Sequence, residues 1–93
     1  MKLIFDEAKD VTNQSKHDLS LSEAAKLEWD NALIWQDNCR DYGESRMITL
    51  GAIDERLYCV AYVDREDVRR IISLHKANQR EFDHYEQETN SPQ

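Results

Sequence analysis

The sequence predicts an α+β domain, with two N-terminal helices and a C-terminal helix packed on an antiparallel β-sheet. Three observations predict it. Helical and strand signals are segregated along the chain rather than alternating. The later strands are joined by turns of two or three residues, and such turns force antiparallel neighbours. Leu57–Val63 is apolar on both faces, as a central strand must be.

Residues 2–5, Lys-Leu-Ile-Phe, read as a short first strand. Asp6 is a helix N-cap, with Glu7 favourable at the positive helix end, and the helix ends near His17-Asp18. Ser20-Leu21-Ser22-Glu23 has the S-x-x-E form of a capping box and opens a second helix, Leu21 to about Trp29. Ala32–Trp35 has strand composition, and residues 36–45 form a polar loop. Arg46–Leu50 is the next strand, leading to Gly51. Turns at Asp54-Glu55 and at Arg65-Glu66-Asp67 bracket Leu57–Val63. Val68–Leu74, rich in β-branched residues, is the last strand. A polar helix runs from Lys76 to about Glu88, packing through Ala77, Phe82 and Tyr85. Residues 1–88 read as one domain and 89–93 as a flexible tail.

The composition narrows the class. A chain of 93 residues holds one modest core, and a partner subunit adds stability to a domain this small. Hydrophobic residues at 40% with 33% charged fit a folded domain rather than a disordered one. No apolar run approaches the roughly 20 residues that span a bilayer, and the N-terminus turns acidic too early for a signal peptide. A cytoplasmic protein with no membrane association is expected. Cys59 then reads as a reduced core residue, and Cys39 as a cysteine of undetermined state. There is no CxxC and no His/Cys ligand spacing, so neither a metal site nor a cofactor is expected. The net charge is −7, but unevenly spread: residues 1–45 hold ten acids and five bases, residues 46–86 eight acids and seven bases. The second half therefore carries most of the cations that bind phosphate.

Four blocks of residues go further. The first is Phe5-Asp6-x-x-Lys9-x-x-x-Asn13-x-x-Lys16-His17, followed by Leu21 and Glu23-Ala24. The second is Arg46-Met47-Ile48-Thr49-Leu50-Gly51, and the third Val60-Ala61-Tyr62-x-x-Arg65. The fourth is Arg70-Ile71-Ile72-Ser73-Leu74-His75-Lys76-Ala77, then Glu81 and Tyr85. In this order, over almost the whole chain, they resemble the BrnT toxins. Position 5 is commonly Trp in that family and position 75 commonly Arg. The resemblance implies a RelE-like fold and the toxin of a type II toxin–antitoxin pair. It further implies a metal-independent endoribonuclease that cleaves messenger RNA and inhibits translation. Its implied partner is a BrnA-like ribbon-helix-helix antitoxin, through which alone the complex meets promoter DNA; a homodimer within that complex is left open.

Metal-free RNA cleavage needs a base for the ribose 2′-OH, cations for the developing phosphorane charge and an acid for the leaving 5′ oxygen. The candidate catalytic residues are Lys16, His17, Arg65, His75, Lys76, Glu81 and Tyr85; Lys9, Arg46 and Arg70 are candidate phosphate contacts. Imidazole is the side chain best suited to proton transfer near neutrality. Arg46 and Arg70 can share a sheet face and clamp a phosphate. Glu81 and Tyr85 are four apart and share a helix face, where Glu81 can orient a base and Tyr85 can act as an acid or stack on a nucleobase. Each has a plainer reading. His17 can pack under its loop, Lys16 be solvated, Glu81 pair with Arg70 or Lys76, and the arginines pair with Asp64, Glu66 or Asp67, Arg69 foremost. His84 reads as solvated, and Trp29, Trp35, Tyr58 and Tyr62 as core or interface. Two other functions fit the residues: a non-enzymatic toxin-fold partner for complex formation and promoter autoregulation, favoured by the acidic charge and His75, and an acidic nucleic-acid mimic, disfavoured by the arginines.

Overall fold

A computed structural model describes residues 2–37 and 45–89. Cys39 and most of the polar loop, and the tail beyond Thr89, lie outside the described residues. The elements are β1 (Lys2–Phe5), α1 (Glu7–His17), 3-10 turns at Leu21–Lys26 and Trp29–Asn31, β2 (Leu33–Asp37), β3 (Arg46–Ile53), β4 (Arg56–Arg65), β5 (Val68–Lys76) and α2 (Gln79–Thr89). The strands form one five-stranded sheet in the order β1-β5-β4-β3-β2.

The expected all-antiparallel sheet is corrected in one respect. β2, β3, β4 and β5 pair antiparallel, but β1 pairs parallel with β5, Lys2 beside Val68 through Phe5 beside Ile71. Short turns constrain only consecutive strands. β1 and β5 are joined through everything between them, so either direction was open to them.

The expected second helix is also different. Leu21–Lys26 is 3-10, and a second 3-10 turn follows at Trp29. The Glu28 amide, which would continue an α-helix, donates instead to Ala52 O of β3 at 2.9 Å. The Ala24 carbonyl is taken by the Trp29 indole N–H at 3.0 Å. The capping box is replaced as well. The Asp10 carboxylate of α1 accepts from the Leu21 amide at 2.7 Å and from the Ser20 hydroxyl at 3.1 Å, while Ser20 Oγ accepts from the Ser22 amide. A charged acceptor outcompetes a neutral one, and Glu23 turns to Lys26 at 3.2 Å.

One sheet face makes the main core. Leu21, Ala24 and Leu27 lie on Ile53, Val60, Tyr62, Ile71 and Leu74. At Gly51 a Cβ would stand 2.9 Å from Leu27 Cδ2, so that close approach requires glycine. Trp29 meets Tyr62 edge-on, and the Arg69 guanidinium lies over both rings while pairing bidentately with Asp64 at 2.8 and 3.0 Å. On the other face α2 covers one end of the sheet. His84 is exposed, yet its ring meets Trp35 edge-on at 5.1 Å. α2 starts later than the sequence suggests, because β5 continues through Lys76, opposite Tyr58, and the Ala77 amide donates to Leu57 O. Phe82, a packing residue by its sequence position, is instead 42% exposed, since Glu81 and Tyr85 occupy the inward positions.

The edge of β5 is completed by a side chain. β1 reaches only Ile71. Beyond it, buried Asn13 of α1 does the work of a strand: its Nδ2 donates to Leu74 O at 2.8 Å and its Oδ1 accepts from the Leu74 amide at 3.0 Å. The same Nδ2 donates to Leu19 O at 2.9 Å. Replacing Asn13 with Ala would strand these buried backbone groups, at a cost of about 2–4 kcal/mol. Urea unfolding should show this loss, whereas Val11→Ala on the outer face of α1, 67% exposed, should stay within about 0.5 kcal/mol of wild type.

Candidate functional site

The Asn13 clamp fixes the last turn of α1 against β5. His17 lies one turn beyond Asn13, at the helix end, and its ring centroid stands 5.3 Å from that of His75 on β5, with 36° between the planes. α1 ends there because Asp18 takes a left-handed conformation (φ 58°) and its amide closes onto Gln14 O. Between α1 and β5 is a cavity of about 260 Å³ lined by Lys9, Thr12, Lys16, His17 and Ser73 among others. Its charged lining is cationic, in a chain whose net charge is −7.

His75 is oriented from the other side by Glu81. Its Nε2 lies 3.1 and 3.2 Å from the two carboxylate oxygens. Glu81 is itself held in a reciprocal capping box: the Asn78 amide donates to Glu81 Oε1 at 2.9 Å, and the Glu81 amide to Asn78 Oδ1 at 2.8 Å. The buried Cys59 thiol faces the same carboxylate, its sulfur within 4.8 Å of a carboxylate oxygen. Burial pushes the Glu81 carboxyl up, but the Asn78 amide, the His75 ring and the Cys59 thiol together hold it below its ordinary value. Burial and the adjacent Glu81 push the Cys59 thiol far up, so it stays protonated. Cys59 and His75 are direct cross-strand partners, and one donor atom from each of Cys59, His75 and Glu81 lies within 4.8 Å of the others. Ligand spacing along the chain does not reveal this cluster, because strand register assembles it.

The register also sorts the arginines. Between Ala61 and Tyr62 the β4–β5 pairing slips, leaving Ile72 as an extra residue in β5. Simple alternation would put Arg70 and His75 on opposite faces; the bulge puts them on one. Asp37, Arg46, Val63, Arg70 and Ile4 form one cross-sheet row. Arg46 and Arg70 therefore share a face about 10 Å apart, and Arg46 lies 3.8 Å from Asp37. Arg65 and Arg70 line a cavity of about 350 Å³ with Ile4 and Val63. That cavity is at the far end of the sheet: Arg65 is six strand residues from Cys59, about 20 Å. Lys76 sits opposite Tyr58, on the face turned from His75. Tyr85, half-buried, follows Glu81 by one turn. The structure thus brings together His17, His75 and Glu81, with Lys9 and Lys16 lining the cavity that His17 shares, and leaves Lys76, Arg65 and the Arg46–Arg70 row outside that cluster. Asn13, Asn78 and Cys59 escape a reading of the sequence for site residues, although N-x-x-E ahead of an amphipathic run is a legible capping signal.

The family model described as ribonuclease toxin, BrnT, of type II toxin–antitoxin system matches residues 5–81. The chain belongs to the BrnT family. That match takes in Lys9, Asn13, His17, Cys59, His75 and Glu81, so the clustered residues all lie within the BrnT region. A search of curated proteins returned no match. BrnT membership makes the chain a ribonuclease toxin of a type II toxin–antitoxin system, and that class of toxin implies an antitoxin partner. Among the described residues of this BrnT chain, no helix is long and apolar enough to cross a membrane.

Because folding lowers the Glu81 pKa, this carboxylate stabilises the fold fully above the ordinary carboxyl value of 4.5 and loses that contribution as pH falls through the lower folded value. The stability gap between wild type and Glu81→Gln should therefore narrow on acidification below about pH 5. Urea midpoints across that range would read it, and a gap independent of pH would contradict the account of Glu81.

Proposed function

We propose that this chain is a metal-independent endoribonuclease that cleaves messenger RNA, halts translation, and is neutralised by a ribbon-helix-helix antitoxin. The observation that carries the chemistry is the His17–His75 ring pair beside a cationic cavity. Two imidazoles supply both proton transfers that cleavage needs. One takes the proton of the ribose 2′-OH, whose oxygen attacks the adjacent phosphorus. The other protonates the departing 5′ oxygen. The products are a 2′,3′-cyclic phosphate and a 5′-hydroxyl. Glu81 fixes the His75 ring through Nε2, leaving Nδ1 for transfer. Lys9 and Lys16 offset the phosphorane charge. The Arg46–Arg70 row extends a phosphate track across the open sheet face, and Tyr85 offers a ring for a nucleobase. Lys76 and Arg65 take no part in proton transfer. The mixed sheet beneath an N-terminal helix supports a RelE-like assignment of the fold. Residues 1–88 act as one domain in the cytoplasm, and promoter DNA is met only through the antitoxin.

A second reading, a non-enzymatic partner in the toxin–antitoxin complex and its promoter control, is favoured by acids already engaging the cations: Asp37 beside Arg46 and Asp64 on Arg69. The two are separated by incubating the purified protein with a defined RNA in excess chelator and mapping the ends. The ribonuclease reading expects cyclic phosphate ends, with His17→Ala and His75→Ala each slowing cleavage by about 10²- to 10⁴-fold. Intact RNA, together with normal growth on expression, would leave the non-enzymatic partner.

A further inference from the structure

We propose that Cys59, His75 and Glu81 form a binding site for a zinc-class divalent cation, and that its occupancy silences the toxin. The three donors come from β4, β5 and the first turn of α2, and all lie within 4.8 Å of one another. A tetrahedral zinc ion with bonds of about 2.0–2.3 Å holds its ligands about 3.3–3.7 Å apart, so the site closes on the ion with small side-chain movements. The donor set is thiolate, imidazole and carboxylate, which favours zinc and its neighbours over magnesium or calcium. Three protein ligands leave a fourth position for water. Entry is open, because His75 and Glu81 keep 29% and 23% of their side-chain surface exposed while Cys59 forms the buried floor.

The metal-free arrangement is already assembled. Glu81 already bonds His75 Nε2, and the Cys59 sulfur lies within 4.8 Å of both groups, where the ion would bridge them. Binding releases the thiol proton to solvent, and the imidazole proton shifts from the coordinating Nε2 to Nδ1, the nitrogen that the proposed cleavage uses for transfer. Glu81 is pinned by Asn78 whether the ion is present or not. The ion therefore enters a preformed site, and it takes the group that the proposed cleavage needs for proton transfer. The silencing half of the inference rests on the ribonuclease reading; the binding half does not.

Cobalt(II) titration of the reduced protein tests binding directly. Wild type should take up one equivalent with an intense thiolate-to-cobalt charge-transfer band. Cys59→Ser, whose hydroxyl can still donate to Glu81, should lose the band, and it and Glu81→Gln should bind at least roughly tenfold more weakly. No band in wild type, or a band that survives in Cys59→Ser and so belongs to Cys39, overturns the site. Silencing is read as the ratio of RNA cleavage with and without zinc within each protein. A large ratio in wild type that collapses in Cys59→Ser supports it, and equal ratios overturn it. A cobalt band of the expected kind with no cleavage in metal-free buffer leaves the site standing and removes the ribonuclease reading.

Discussion

The arrangement depends on one buried amide. β5 is flanked by a first strand of only four residues, and among the described residues no strand lies beside its edge beyond Ile71. Asn13 supplies the missing partner by bonding both the N–H and the C=O of Leu74. Buried backbone groups must be paired, so this is a requirement of the fold rather than an ornament. It also sets the position of α1 against the sheet, and through that helix it sets where His17 meets His75. Structure and candidate chemistry thus share a single constraint.

The second constraint is Glu81, which does three things with one carboxylate. It caps α2, faces the protonated Cys59 thiol and orients His75. Its charge is held by neighbours rather than by solvent, which keeps it ionised despite partial burial. The site is therefore held on both flanks: a clamp from α1 on one side, a helix cap on the other. Net charge misleads in such a protein. Most of the net −7 comes from the first half of the chain, where ten acids face five bases, while among the described residues the charged lining of the cavity beside His17 is lysine.

Local chemistry made much of the fold legible. Asp6 as N-cap, the stop at His17, and the turns at Asp54 and Glu66 follow from residue preferences over a few positions. Long-range pairing was not legible. Nothing near Lys2 says that it lies beside Val68, and nothing near Ser20 says that Asp10 will displace Glu23 as a cap. The site was half legible for the same reason. His17, His75 and Glu81 stand out by chemistry and by resemblance to BrnT toxins. Their convergence, the bulge at Ile72 that brings Arg70 to the His75 face, and the place of Cys59 under Glu81 are consequences of strand register. Lys76 shows the converse: adjacent to His75 in sequence, it points from the other face.

The central claim is that His17 and His75 act together as acid and base. The pH dependence of kcat/KM for a short RNA tests it most directly. The account predicts a bell-shaped profile in wild type, with one limb lost in His17→Ala and the other in His75→Ala. Cleavage whose profile keeps both limbs in either variant would contradict it.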